Sequence, residues 1–192
     1  MVSIRNAGQS VEERILDAAA ACLLAYGVER TTMTEIARRA RVSRPTIYRR
    51  WPDIRYLIAE VLTLRIAGVL DRVPDTGVGR QATVARVVAV AQHLRDDEVV
   101  TSVIHNAPSI AMTYIADRLG TSQQILIDAL AEAIKAGQDD GSVRAGDPRQ
   151  MAAMCLLITQ STIQSAQMVA GLLAADELDT ELTHSLDGYL KP

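Results

Sequence analysis

Phenylalanine is absent from the 192-residue chain and aromatic residues make up 3% of it. A flat aromatic ligand would find few stacking partners, and an aliphatic or moderately polar one suits the composition better. The two cysteines, Cys22 and Cys155, stand apart, outside any CxxC spacing and each within an apolar helical run. Buried free thiols in a reducing cytoplasm are expected of them, with a disulfide or metal site as the alternative. His93, His105 and His184 are scattered without HExxH or zinc spacing, and the chain lacks a P-loop and a Ser/His/Asp signature. No catalytic residue, metal or cofactor is therefore expected. Gly77-Val78-Gly79 with Ala82 fits GxGxxA, but it follows a helical segment where a dinucleotide site needs a strand, so a plain loop is expected.

Charge is missing altogether from residues 150–175, a length sufficient to span a bilayer. Thr159, Gln160, Ser161, Thr162, Gln164, Ser165 and Gln167 crowd its centre, however, where a lipid-facing helix is mostly aliphatic. The apolar AAAACLLA near the N-terminus is likewise preceded or interrupted by Glu12, Glu13 and Asp17, which makes it an amphipathic helix rather than a signal peptide. No membrane partner is expected.

Runs of alternating β-branched residues are also lacking, and the remaining pattern is helical, broken at Gly, Pro and Asp. An all-α protein of about nine helices is expected. Ser10 with Glu13 has the spacing of a capping box opening the first helix, which Gly27 ends. Asp53 caps a helix to about Arg72; others are expected near 80–95, 97–106, from Pro108 to about Gly137 with Gly120 as a break, 148–172 and 177–190. The formal net charge of −3 is uneven: residues 1–60 carry ten Arg against seven acids, whereas the remainder is acidic. A basic module on an acidic body fits attraction to phosphate at one end only.

The informative stretch is Thr32 to Trp51, TMTEIARRARVSRPTIYRRW. Thr32 and Glu35 have capping-box spacing, and Ile36, Ala37 and Ala40 recur on one helical face with Arg38 and Arg39 on the other. Val42 and Ser43 make a turn, Ser43 caps a second helix, and Pro45 is tolerated in its first turn. Ile47 and Trp51, four apart, face inward, which turns Pro45 and Arg49 outward with Tyr48 and Thr46 beside them. The second helix of such a pair lies in the major groove, where arginine bonds guanine and apolar groups touch thymine methyls. Arg44, Pro45, Thr46, Tyr48 and Arg49 are the expected readers, and Thr32, Thr34 and Arg55 the expected phosphate contacts. Periodicity alone leaves open a surface hairpin with merely solvated arginines.

Residues 11–60 resemble the DNA-binding domain of the tetracycline-repressor (TetR) family. The resemblance rests on ILDAAAACLLAYGVERTTMTEIARRARVS, TIYRRW and the Asp-initiated helix ending in LIAEVL. Three positions depart from the family pattern. Arg41 stands where the turn usually has glycine, Pro45 replaces a common glycine, and Ile54 occupies the place of a phosphate-binding lysine, a contact that Arg55 would take over. The resemblance implies a three-helix DNA-binding domain over residues 1–52. It further implies a helical ligand-binding and dimerisation domain over 53–192, whose last two helices form a four-helix dimer interface.

Helix 148–172 is apolar on more than one side, which fits a second partner as well as its own core, although burial within one subunit is the alternative. Ser161, Ser165, Ala166 and Ala170, with Leu178, Leu182 and Leu186 of the last helix, are the expected dimer contacts. Polar groups embedded in apolar helices nominate a ligand site: Ile66, His93, His105, Asn106, Tyr114, Met154, Ile158, Gln160 and Gln164. The expectation is thus a cytoplasmic, homodimeric repressor, released from double-stranded palindromic operator DNA by a small-molecule effector. Two alternatives remain at this point: a helical enzyme or carrier with an incidental hairpin, and a DNA-binding activator without an effector.

Overall fold

A computed structural model describes residues 9–75, 77–106 and 120–192, with the backbone alone for His105 and Asn106. Among these residues the chain forms nine helices and no strand: α1 (Val11–Tyr26), α2 (Met33–Ala40), α3 (Arg44–Tyr48), α4 (Ile54–Arg72), α5 (Arg80–Asp96), α6 (Glu98–Asn106), α7 (Thr121–Asp139), α8 (Pro148–Val169) and α9 (Ala175–Leu190). Tyr114, the side chains of His105 and Asn106, and the helix expected to open at Pro108 fall outside the described residues. Gly120 stands immediately before α7, and its N–H donates to Gln123 Oε1 at 2.7 Å.

Two compact units emerge among the described residues. Of the described residues, the first comprises 9–65 and 98–106, the second 66–75, 77–97 and 120–192. Helix α6 belongs to the first because Val99 and Val103 are 1% exposed and join the core built by α1 to α4. That core holds Ile15, Leu23, Ile36, Ile47, Trp51 and Leu57, so α3 is fastened to α1, α2 and α4 by its apolar side.

The ends of the first helices follow their side chains closely. Ser10 and Glu13 form the reciprocal box, Glu13 N–H donating to Ser10 Oγ at 3.1 Å and Ser10 N–H to Glu13 Oε2 at 2.7 Å. Thr32 completes only half of one: its hydroxyl accepts from Glu35 N–H at 3.2 Å, while the Glu35 carboxylate turns to Arg38 instead. Arg41 ends α2 in the left-handed conformation (φ 56°, ψ 47°). Val42 N–H reaches Ala37 O at 3.0 Å and Arg41 N–H reaches Arg38 O at 3.3 Å, the paired bonds of a Schellman ending that usually employs glycine. Arginine there costs about 1 kcal/mol.

In the second unit α5, α7, α8 and α9 enclose Val84, Val88, Ile127, Ile134, Met151, Cys155, Leu182, Leu186 and Leu190. Cys22 and Cys155 are both free and buried, and burial pushes the Cys155 thiol up to about 11, so both behave as small apolar groups. Arg95 of α5 pairs with Asp179 of α9, which also accepts from Gln92 at 2.7 Å. The last turn of α9 carries no basic residue of its own, and cations from elsewhere serve its carbonyls. Arg80 Nη1 donates to Asp187 O at 3.2 Å, and Arg144 Nε donates to Tyr189 O at 2.8 Å. The GxGxxA stretch is the loop before α5: Gly79 has φ 92°, and a Cβ there would lie 2.9 Å from Asp140 Oδ2. No described helix is long and apolar enough to cross a membrane.

Leu178, Leu182, Leu186 and Leu190 of α9 are 9%, 2%, 1% and 1% exposed within the single chain, so they pack inward in the protomer. The outward apolar face lies on α8. Met154, Leu157 and Met168 are 43%, 59% and 80% exposed. At 100° per residue they share one stripe with the exposed Ser161 and partly buried Ser165, continued by exposed Leu172 just past the helix end. Ala166 is partly buried and Ala170 exposed.

Candidate nucleic-acid interface

The reading helix α3 is only five residues long, and isolated helices of that length do not form. Its shape comes from its ends and its floor. Ser43 Oγ accepts from Thr46 N–H at 3.3 Å, and the helical bonding runs past Tyr48, with Trp51 N–H donating to Ile47 O at 2.9 Å. Ile47 is fully buried and Trp51 is 2% exposed. This floor leaves Arg44, Pro45, Tyr48 and Arg49 exposed together on the opposite side. Thr46 is partly buried, and its hydroxyl lies 2.8 Å from Ser43 Oγ, so it serves the start of α3 before it serves a ligand. Thr32 and Thr34 are exposed at the first turn of α2.

The arginines of the first unit divide by whether a carboxylate already holds them. Arg38 is paired with Glu35 at 2.5 Å, Arg50 with Glu12 at 3.0 Å and Arg55 with Asp53 at 2.7 Å. These hydrogen bonds hold the Glu35 and Asp53 carboxyls below their ordinary range. A lowered carboxyl pKa means that the pairs persist through neutral pH and are lost only as pH falls through the lowered values. Arg55 can thus meet a phosphate only by sharing its guanidinium with Asp53. Arg44 and Arg49, by contrast, have no carboxylate partner among the described residues, leaving their donors for bases or phosphates.

One contact that sequence spacing missed holds α3 in place. Trp51 Nε1 donates to Glu60 Oε2 of α4 at 2.6 Å, and Glu60 also faces Arg50 at 3.6 Å, with the Arg50 guanidinium 6.0 Å from the Trp51 ring centroid. Removing the acceptor leaves a buried indole N–H unpaired. Glu60→Ala is expected to cost about 1–3 kcal/mol of stability, and Glu60→Gln, which keeps an acceptor, to recover most of it. Thermal denaturation checks the cost. Fluorescence of Trp51, the chain's one tryptophan, follows the bond itself. Equal midpoints for wild type and Glu60→Ala would remove the bond from the account.

The expected ligand-site residues do not share one environment. His93 and Met154 are exposed, with His93 Nδ1 2.8 Å from Ala89 O of its own helix. Ile66, Ile158, Gln160 and Gln164 are partly buried, and Gln160 Oε1 accepts from Gln123 Nε2 at 3.1 Å. No group of three or more potential metal ligands gathers among the described residues.

Residues 15–61 match the family model described as bacterial regulatory proteins, tetR family. The chain is 54% identical over 190 residues to an HTH-type transcriptional regulator of Mycobacterium bovis, covering 99% of this chain and 100% of that one. An HTH-type transcriptional regulator of Mycobacterium tuberculosis strain H37Rv gives the same identity and coverage. Among solved structures, the Rhodococcus erythropolis transcriptional repressor QsdR superposes with a TM-score of 0.70 at 18% identity, over 95% of this chain and 96% of that chain. RolR in complex with resorcinol does so with a TM-score of 0.66 at 16% identity, over 94% and 87%. At such identities the solved structures speak for the fold alone.

Proposed function

Because this chain belongs to the TetR family of transcriptional regulators, which are not enzymes, we propose that it is a cytoplasmic homodimeric repressor. In this reading it occupies a palindromic operator and leaves it when a small molecule binds the helical second unit. The observation that carries the reading is the bare face of α3, with Arg44, Tyr48 and Arg49 exposed above a floor of Ile47 and Trp51. Two such faces, presented by two copies about 34–36 Å apart, would read successive major grooves. The exposed stripe of α8 gives the second copy a place to sit, since an apolar row of this length is unusual on a surface that stays wet. The α4 helix begins in the first unit and ends in the second, which makes it the natural lever between effector and operator. Within the second unit Ile66, His93, Met154, Ile158, Gln160 and Gln164 remain the effector candidates, whereas His105 and Asn106 belong to the first unit.

The test begins with duplexes selected by the full-length protein from random DNA. A palindromic consensus is expected, and log K should fall linearly with log salt concentration as phosphate contacts release counterions. Selection yielding no consensus, with affinity independent of salt, would refute operator binding. A consensus without a dyad would leave a regulator that reads DNA some other way.

A further inference from the structure

One feature of the first unit lies off the reading face. Between α1 and the last turn of α2 a cleft of about 400 Å3 opens, lined by Arg14, Asp17 and Ala18 on one side, Arg39 and Arg41 on the other, and Gln9 at its edge. Three guanidiniums thus meet a single carboxylate, and that carboxylate already accepts from Gln9 Nε2 at 2.5 Å. None of the three arginines enters an ion pair among the described residues. Arg14 Nε is buried without a hydrogen-bond partner. The other described arginines of α1 to α4 up to Arg55 are accounted for. Arg38, Arg50 and Arg55 are held by carboxylates, Arg30 donates to Tyr26 O at 3.1 Å, and Arg44 and Arg49 lie on the reading helix.

Two further observations point to an anion. Arg41 occupies the left-handed end of α2, where glycine would fit without strain, so its side chain is present at a cost in stability that chain geometry does not require. Arg41 also lies three residues ahead of Arg44, which places the cleft next to the reading helix and not across the unit from it. Guanidinium groups fork onto phosphate oxygens, and arginines clustered beside a groove-reading helix without a carboxylate to hold them suit a diester phosphate; Arg39 has only the Cys22 thiol as a side-chain partner.

We propose that the cleft built by Arg14, Arg39 and Arg41 binds a backbone phosphate of the DNA beside the bases that α3 reads. The proposal rests on the DNA-binding reading above and extends it outward, from the bases under α3 to the flanking backbone. It makes Arg41 a DNA ligand that lowers the stability of the free protein, a combination that its substitution separates.

Arg41→Gly removes both strain and charge. Its melting temperature is expected to rise by about 2–4 °C. Its affinity for a 36-base-pair duplex carrying the selected sequence should fall several-fold, with the slope of log K against log salt reduced by about 1 for each subunit engaged. Arg39→Gln, which leaves the backbone alone, should lose affinity and slope in the same way without the rise in melting temperature, and Arg41→Lys should restore much of the slope. On a duplex trimmed to the bases under α3, wild type and variants should converge. Unchanged affinity and slope for both Arg41→Gly and Arg39→Gln on the long duplex would overturn the proposal while leaving operator binding intact. Pyrophosphate binding by the DNA-free protein that Arg41→Gly abolishes, with duplex slopes unaltered, would assign the cleft to a free anion and overturn it as well. A wild-type protein without salt-dependent duplex binding would bring down the DNA-binding reading together with this one.

Discussion

A Leu157→Asp chain is expected to sediment as a monomer at micromolar concentration and to bind its selected operator on the order of a thousandfold more weakly than wild type. Leu157 is 59% exposed in the single chain, so the substitution leaves no cavity and little cost to the fold of the protomer. In a dimer packed through α8 the same aspartate would be buried without a partner, between Met154 and Ser161 of its own helix and the facing chain. Operator binding follows because a monomer engages one half-site, and two linked half-sites typically gain a factor of about 10²–10⁴ over one. Circular dichroism matching wild type, together with a monomeric mass, would place the interface on this stripe. A dimer of undiminished operator affinity would show that α8 faces solvent. The leucines of α9 offer the contrasting control: Leu182→Asp strikes a side chain 2% exposed and should unfold the second unit rather than divide a dimer.

Arg49→Ala is expected to weaken operator binding by about 1–3 kcal/mol at each half-site and to relax the preference at one base position in each. Arg49 is exposed at the end of α3, unpaired among the described residues, and on the side opposite Ile47. Its loss should therefore cost nothing in stability, which separates it from Glu60→Ala. Selection repeated with the variant should yield a consensus degenerate at that position and its dyad mate. An unaltered consensus would move the base contact to Arg44 or Tyr48.

The reading unit was legible because its signals are local. Caps at Ser10, Thr32 and Ser43 and the inward pair Ile47 and Trp51 all lie within a few residues of what they control. Contacts between helices carry no such signature. Nothing in the spacing of Trp51 and Glu60 announces a 2.6 Å bond, and nothing in a single helix pattern assigns Val99 and Val103 of α6 to the first core. Arg55 was legible as a cation but not as one held by Asp53. The burial of the α9 leucines within the protomer was not legible for a plainer reason: a row at four-residue spacing looks the same whether it meets its own core or a neighbour. The outward stripe of α8 had its own periodic signal in Met154, Leu157 and Met168, masked by the greater apolarity of the inward face.

The bond between Trp51 and Glu60 bears on how such a reader can change its target. Because α3 is one turn and a half long and owes its posture to Ile47 below and Glu60 behind, its outward side chains are replaceable without disturbing the scaffold that aims them. Transplanting Arg44 to Arg49 alone into another protein would carry the letters without the grip, whereas transplanting them with Trp51 and a carboxylate at the equivalent of Glu60 would carry both. Target preference thus rests on the outward side chains of α3 and aim on Ile47, Trp51 and Glu60, and a lineage can rewrite the first set while the second stays fixed.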